Sequence, residues 1–282
     1  MTESAPERKV ALVTGGSRSV GKGIACALGS DGWTVYVTGR GPVGAGGPLD
    51  HTADIVTERG GRGIAVQCDH RDDGQIHDLF TRITDEQNGR LDALVNNVWA
   101  APKGFAGFTE PFWKRPIDDW DSLIGVGLRA HYVASVEAAR MMVPRSSGMI
   151  VNISSFGTRA HLHSVLYGMS KAGLDKMAAD MAVELHGTGV TTLSLWPGLV
   201  ENEAMQARGL DNFQGFPLAN AETPEFIGRV VVALAGDHEV NVRSGSTLIT
   251  AEVALEYGVA DIDGNQPDSH RAVFGGGPVF GS

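Results

Sequence analysis

A phenol and an ammonium stand four positions apart in this 282-residue chain, at Tyr167 and Lys171. On a helix that spacing puts both on one face. An ammonium beside a phenol favours the phenolate and lowers a pKa that starts near ~10. A phenol tuned in this way can give or take a proton near neutral pH. Such pairs recur by chance in many helices. This one gains weight from Ser154 and Ser155, which end a β-rich run just upstream and bring a hydroxyl to the same sheet edge.

A second constellation lies near the N-terminus. Thr14-Gly-Gly-Ser-Arg-Ser-Val-Gly21 follows the first β-rich run and opens the first helical stretch. Gly15 permits the tight turn, and Gly21 lets the helix pack close to the strand. The helix N-terminus offers free N–H groups and the positive end of its dipole to a pyrophosphate. The second run ends Thr38-Gly39-Arg40. An acidic residue here would bond the ribose 2′-OH of NAD. The chain instead has Gly39 and Arg40, with Arg18 in the turn nearby. Two guanidinium groups and no carboxylate fit a 2′-phosphate, so NADP(H) is predicted over NAD(H).

These residues need a scaffold, and the apolar pattern supplies one. Short runs rich in β-formers occupy 10–14, 35–38, 64–68, 93–97, 149–154, 191–196 and 246–250. Helix-period stretches alternate with them at 21–30, 51–58, 75–87, 120–142, 164–186 and 224–235. Runs that are apolar throughout read as strands covered on both faces. The alternation predicts an α/β domain with one doubly wound parallel sheet. Two long connections, 99–118 and 201–223, leave the carboxyl ends of strands, where such sheets bind ligands. The domain is expected to span 1–264. A Gly-rich tail at 265–282 is expected to pack poorly.

Composition narrows the function. The 33 acidic residues exceed the 23 basic ones, which argues against nucleic acid as a partner. The two cysteines, Cys26 and Cys68, form no CxxC motif and read as reduced thiols. No signal-like N-terminus and no long apolar run is present, so a cytoplasmic protein without membrane contact is expected. His161 and His163 lack the further ligands that a metal needs, so no metal is predicted.

TGGSRSVG, Asp69, Asn96-Asn97, Ile153-Ser-Ser155, Tyr167-x-x-x-Lys171 and Pro197-Gly198 fall in the order and spacing of short-chain dehydrogenases/reductases. The resemblance covers roughly 9–264. PFWKRPIDDWDSLIGVGLRAHYVASVEAARMMVP, SLWPGLV and YGVADIDG further resemble the dehydrogenase/reductase SDR family member 1 group. The resemblance implies a Rossmann-type fold, interconversion of a carbonyl and an alcohol with a nicotinamide cofactor, and a homodimer or homotetramer. It implies Tyr167 as acid/base, Lys171 as its pKa partner and ribose anchor, and Ser155 as the carbonyl-oxygen donor, with Ser154 the alternative. Gly15, Ser17, Arg18, Ser19, Val20 and Gly21 would hold the phosphates. Arg40 would face the 2′-phosphate, and Asp69 the adenine. Asn96 would lie beside the cofactor, and Pro197, Gly198 and Val200 at its carboxamide.

The chain departs from the family pattern in several places. Ser19 replaces the middle glycine of the phosphate turn and serves there if its φ is ordinary. Val98-Trp99 follows Asn97 where Ala-Gly is usual. Asn202 stands for a common Thr. Ser155 precedes Tyr167 by twelve residues, one fewer than the commonest spacing. Gly127 stands where the family's fourth catalytic residue, an Asn ordering a water relay behind the lysine, is expected. Two readings follow. Either the relay is modified, or the chain is a non-catalytic NADP(H)-binding sensor. Trp99, Phe156 and His161 are the candidate substrate residues. With Phe105, Phe108, Phe112 and Trp113 as an apolar wall, they suggest a bulky apolar ketone or aldehyde.

Overall fold

The structure, a computed structural model, describes residues 8–102, 110–213 and 215–280. Phe105 and Phe108 lie outside them. In chain order the elements are β1 (Val10–Val13), α1 (Ser19–Ser30), β2 (Thr34–Gly39), α2 (Pro48–Glu58), β3 (Arg62–Gln67), α3 (Asp73–Glu86) and β4 (Ala93–Asn96). A π-helical stretch, Asp121–Arg129, then runs into α4 (Ala130–Met142). There follow β5 (Gly148–Ile153), α5 (Val165–Glu184), β6 (Val190–Trp196), α6 (Glu203–Gln206), β7 (Asn212–Phe213), β8 (Phe216–Pro217), α7 (Pro224–Gly236), β9 (Thr247–Ile249), α8 (Thr250–Tyr257) and α9 (Arg271–Phe274).

Seven strands form one parallel sheet in the order β3-β2-β1-β4-β5-β6-β9. This is the doubly wound, Rossmann-type α/β sheet of a single domain. All seven predicted runs are strands. They pair as buried parallel strands should, because helices cover both faces and leave no polar side. One buried layer joins α1, α2 and α7 to the sheet through Ile24, Leu28, Val56, Phe226 and Val230. The other joins α3 and α4 through Ile76, Phe80, Ala134 and Met142.

The chain leaves β3, crosses the sheet and resumes at β4 beside β1. That reversal opens a crevice at the carboxyl ends of β1 and β4. Thr14 ties the two strands there. Its Oγ accepts from the backbone N–H of Asn97 at 2.9 Å and of Val98 at 3.0 Å.

The second long connection is not plain loop. It holds α6 and the antiparallel pair β7–β8. The tail departs from expectation, because its described part packs on the domain. Arg271 Nε donates to Glu252 Oε1 at 2.6 Å, Asp268 N–H to Asn220 Oδ1 at 2.9 Å, and Arg159 Nη1 to the Gly276 carbonyl at 3.2 Å. These side-chain bonds seat a segment whose glycines give no apolar signal. Phe112 and Trp113 meet edge-on at 5.3 Å, and both are largely exposed rather than set in a wall.

Candidate active site

The cofactor half of the site grows from the β1–α1 turn. Gly15 has φ +70°, a backbone that favours glycine. A Cβ on Gly21 would stand 2.3 Å from the Gly15 carbonyl oxygen, so the turn closes only on a glycine. Ser19 departs from expectation, since its φ is +46° and not ordinary. The serine holds the left-handed geometry of the glycine it replaces, at a cost of about 1–2 kcal/mol.

Gly15, Ser17, Arg18, Ser19, Val20 and Gly21 line one cleft together with Arg40 and Asp69. Arg71 also lines it, a residue that the motifs did not single out. Its guanidinium grips Asp69 with two bonds, 3.1 Å to Oδ1 and 3.0 Å to Oδ2. Burial opposes ionisation of Asp69, but the Arg71 bonds and the charges of Arg71 and Arg40 prevail. They hold the carboxyl below its usual range. The signal for Arg71 was its spacing of two from Asp69, which permits a fork around one carboxylate.

The turn's fitness for a phosphate is visible in what it already binds. The Ser19 N–H, at the start of α1, donates to Glu203 Oε1 at 3.0 Å. A carboxylate oxygen thus stands where a helix N-terminus takes an anion. Three arginines around the cleft and one paired carboxylate suit a phosphorylated nucleotide.

Asn96 is corrected by the structure. It lies fully buried under the sheet edge, its amide donating to Ser135 Oγ at 2.9 Å and Asn152 Oδ1 at 3.0 Å. Asn97 lines the cleft in its place and donates to the Thr14 carbonyl at 2.9 Å. Val200 likewise packs against the core beside Glu222, and Leu199 joins Pro197 and Gly198 on the cavity wall.

The candidate catalytic side chains sit at the carboxyl end of β5 and the start of α5. Ser164 caps α5, accepting from the Tyr167 N–H at 3.2 Å. Asp175, further along α5, accepts from Thr158 Oγ at 2.7 Å and Trp196 Nε1 at 3.0 Å. These bonds fix the helix against β5 and β6. Tyr167 Oη then donates to Ser155 Oγ at 3.0 Å. The Gly157 N–H donates to the same oxygen, also at 3.0 Å. A hydroxyl that accepts twice keeps its own proton to give, so Ser155 presents a donor beside the phenol. Ser154 is buried and donates to the Lys171 carbonyl at 3.1 Å, facing the helix instead.

Lys171 Nζ lies 5.7 Å from the Tyr167 ring centre and donates to the Ile153 carbonyl at 2.9 Å. Burial pushes its ammonium down to about 8, with Asp175 opposing. The expected lowering of the phenol is not found. Burial pushes Tyr167 up, and the Ser155 bond offsets this only in part. The ammonium is spent on a carbonyl, so desolvation of the phenolate wins. The phenol stands as a neutral acid.

Next to this group lies a second cavity, lined by Ser155, Phe156, His163, Tyr167, Leu199, Phe216, His270 and Phe274. Phe156, named from the sequence, is on its wall. His161 is not; its side chain is exposed. His163 takes that place, with φ +64° and its ring edge-on to Tyr167 at 4.7 Å. Trp99 lines the cofactor cleft, and its indole lies over Gly127, 3.6 Å from where a Cβ would be. The tail contributes His270 and Phe274, which pattern reasoning missed. Among the described residues no group of three or more His, Cys, Asp or Glu converges on a metal position, and no helix is long and apolar enough to cross a membrane.

Known proteins resemble this chain in sequence and fold. The family model described as short chain dehydrogenase matches residues 9–212. The chain is 42% identical over 266 residues to dehydrogenase/reductase SDR family member 1 of Mus musculus, covering 91% of this chain and 84% of that protein. It is 40% identical over 270 residues to the Homo sapiens protein of the same name, with the same coverage. A metagenomic short-chain oxidoreductase solved in complex with NADP superposes with a TM-score of 0.69 and 28% identity, covering 86% of this chain and 95% of that one. A Serratia marcescens short-chain dehydrogenase/reductase mutant gives a TM-score of 0.72 at 28% identity, covering 87% and 97%.

Proposed function

The chain belongs to the short-chain dehydrogenase/reductase family, a family of oxidoreductases, and from that premise we propose that it reduces a bulky apolar ketone or aldehyde with NADPH, and oxidises the matching alcohol in reverse. The observation that carries this is the Tyr167–Ser155 hydrogen bond of 3.0 Å on the wall of the aromatic cavity. Held in the first cleft, NADPH would supply the hydride for the carbonyl carbon. Tyr167, neutral at the start, gives its proton to the oxygen as negative charge develops there. Ser155 donates its remaining hydroxyl proton to the same oxygen and stabilises that charge. In the alcohol direction the proton returns to Tyr167. Lys171 lies behind the phenol and would anchor the ribose. Arg18 and Arg40 would hold the 2′-phosphate, with Arg71 and Asp69 beside the adenine. The cavity's phenylalanines and neutral imidazoles favour an uncharged substrate. Exposed Val165, Met169 and Val183 on α5 support assembly as a homodimer or homotetramer.

Oxidation of NADPH against a carbonyl panel tests the reading. Tyr167→Phe is expected to lower kcat by about 100-fold or more, the usual worth of a general acid. Undiminished turnover in that variant would remove Tyr167 from the role. Tight NADPH binding without turnover on any carbonyl would favour the sensor, for which Gly127 is the specific support. Arg40→Ala should raise the KM for NADPH about tenfold, a loss of ~1.4 kcal/mol, and change that for NADH far less. Equal effects on both would refute the 2′-phosphate contact.

A further inference from the structure

Glu222 ends the second long connection and is 1% exposed. It grips the loop 197–201 at several points. Its Oε1 accepts from the Gly198 N–H at 2.8 Å. Its backbone N–H donates to the Leu199 carbonyl at 2.7 Å, and its carbonyl accepts from the Glu201 N–H at 3.0 Å. It also pairs with Val200 as a parallel bridge. No catalytic step above uses this side chain.

Two atoms around Gly198 are left over. Glu222 Oε2 is buried without a hydrogen-bond partner, and so is His270 Nδ1. A Cβ on Gly198 would stand 3.0 Å from both Glu222 Oε1 and His270 Nδ1. The carboxyl and the imidazole therefore face one glycine from opposite segments, the end of the connection and the tail. An ionised carboxylate with one donor and an orphaned oxygen is costly in such a place. The other charged group facing it is Asp261, itself buried and bound to the Thr223 N–H at 2.8 Å. Burial, reinforced by Asp261, pushes Glu222 up to about 8. Burial pushes His270 down, so its ring is neutral.

We propose that Glu222 is a positioning residue held as a neutral carboxylic acid, seating the loop 197–200 through Gly198. These bonds tie the loop that would hold the nicotinamide carboxamide to the end of the second long connection. The role rests on the reading of 197–200 as that loop.

Three measurements on the full chain test it. With ¹³C-labelled glutamate carboxyls, one resonance titrates near pH 8 in the wild type and is missing in Glu222→Gln. Glu222→Ala raises the KM for NADPH tenfold or more, with a smaller change in kcat. Glu222→Gln, which keeps an uncharged side chain and a carbonyl for the Gly198 N–H, recovers most of that loss. Every glutamate titrating below pH 6, an unchanged KM in the alanine variant, or no recovery by glutamine would overturn the proposal. If the alanine variant does not fold, the titration and the glutamine variant decide. A wild type that fails to bind NADPH would overturn the proposed function and leave the carboxyl titration as a separate result.

Discussion

A methyl group added at Gly127 would sit 3.6 Å from Trp99 Cδ1 and 3.9 Å from Ser170, ordinary van der Waals distances. Neither φ nor space demands a glycine there. Gly127→Ala should therefore stabilise the π-helical stretch by up to ~1 kcal/mol, seen as a higher thermal midpoint. Turnover should change less than threefold. A tenfold loss would mean that the backbone at 127 takes part in proton movement behind Lys171. At this scale the sequence located chemistry to within a residue or two and then ran short. Asn96 and Asn97 are neighbours at a strand end, and successive side chains face opposite ways. No motif states which one faces the cleft; the register with Thr14 decides for Asn97. Ser154 and Ser155 divide in the same way, one toward α5 and one toward Tyr167. His163 displaced His161 through a positive φ that no residue pattern announces.

The start of helix α1 is bonded to the second long connection, from the Ser19 N–H to Glu203 on α6. On the proposed reading a pyrophosphate would take that same N–H. The protein's own carboxylate competes for it. Glu203→Ala should tighten NADPH binding a few-fold, in keeping with ~0.5–1 kcal/mol for a charge at a helix end. Calorimetric titration reads this directly, and weaker binding would show that Glu203 helps instead. Long elements were legible because they carry a period. Each of the seven sheet strands stood out as an apolar run, and α5 as a helical stretch holding Tyr167 and Lys171 on one face. The β7–β8 pair has two residues per strand, and α9 has four residues. Segments this short are fixed by tertiary contacts, so their sequences carry no period to read.

Across the whole molecule, buried titratable groups set opposing trends with pH. Burial pushes His131 down to about 3 and His70 down to about 4, from 6.5 in the open chain. The unfolded state binds these protons first, so stability falls as pH drops below 6.5. Glu222 acts with the opposite sign. The folded chain keeps its proton up to about 8 while the unfolded chain loses it near 4.5, so stability falls as pH rises through that window. Below 6.5 two histidines outweigh one glutamate. The thermal midpoint should therefore peak near pH 6.5, and Glu222→Gln should flatten the limb between 6.5 and 8. A midpoint that climbs steadily to pH 8 in the wild type would contradict the assignment.

The same segment that carries His270 and Phe274 into the cavity lies beyond residue 212, where the family match ends. Ser155, Tyr167 and Lys171 all lie before it. A protease cut between 264 and 270 would leave the acid, its hydroxyl partner and the phosphate turn intact on one fragment. It would strip one wall from the place where substrate is chosen. On the proposed reading, part of the substrate wall is thus written in a separate stretch of chain from the acid, and exchanging the last stretch between relatives would shift preference without rebuilding the catalyst.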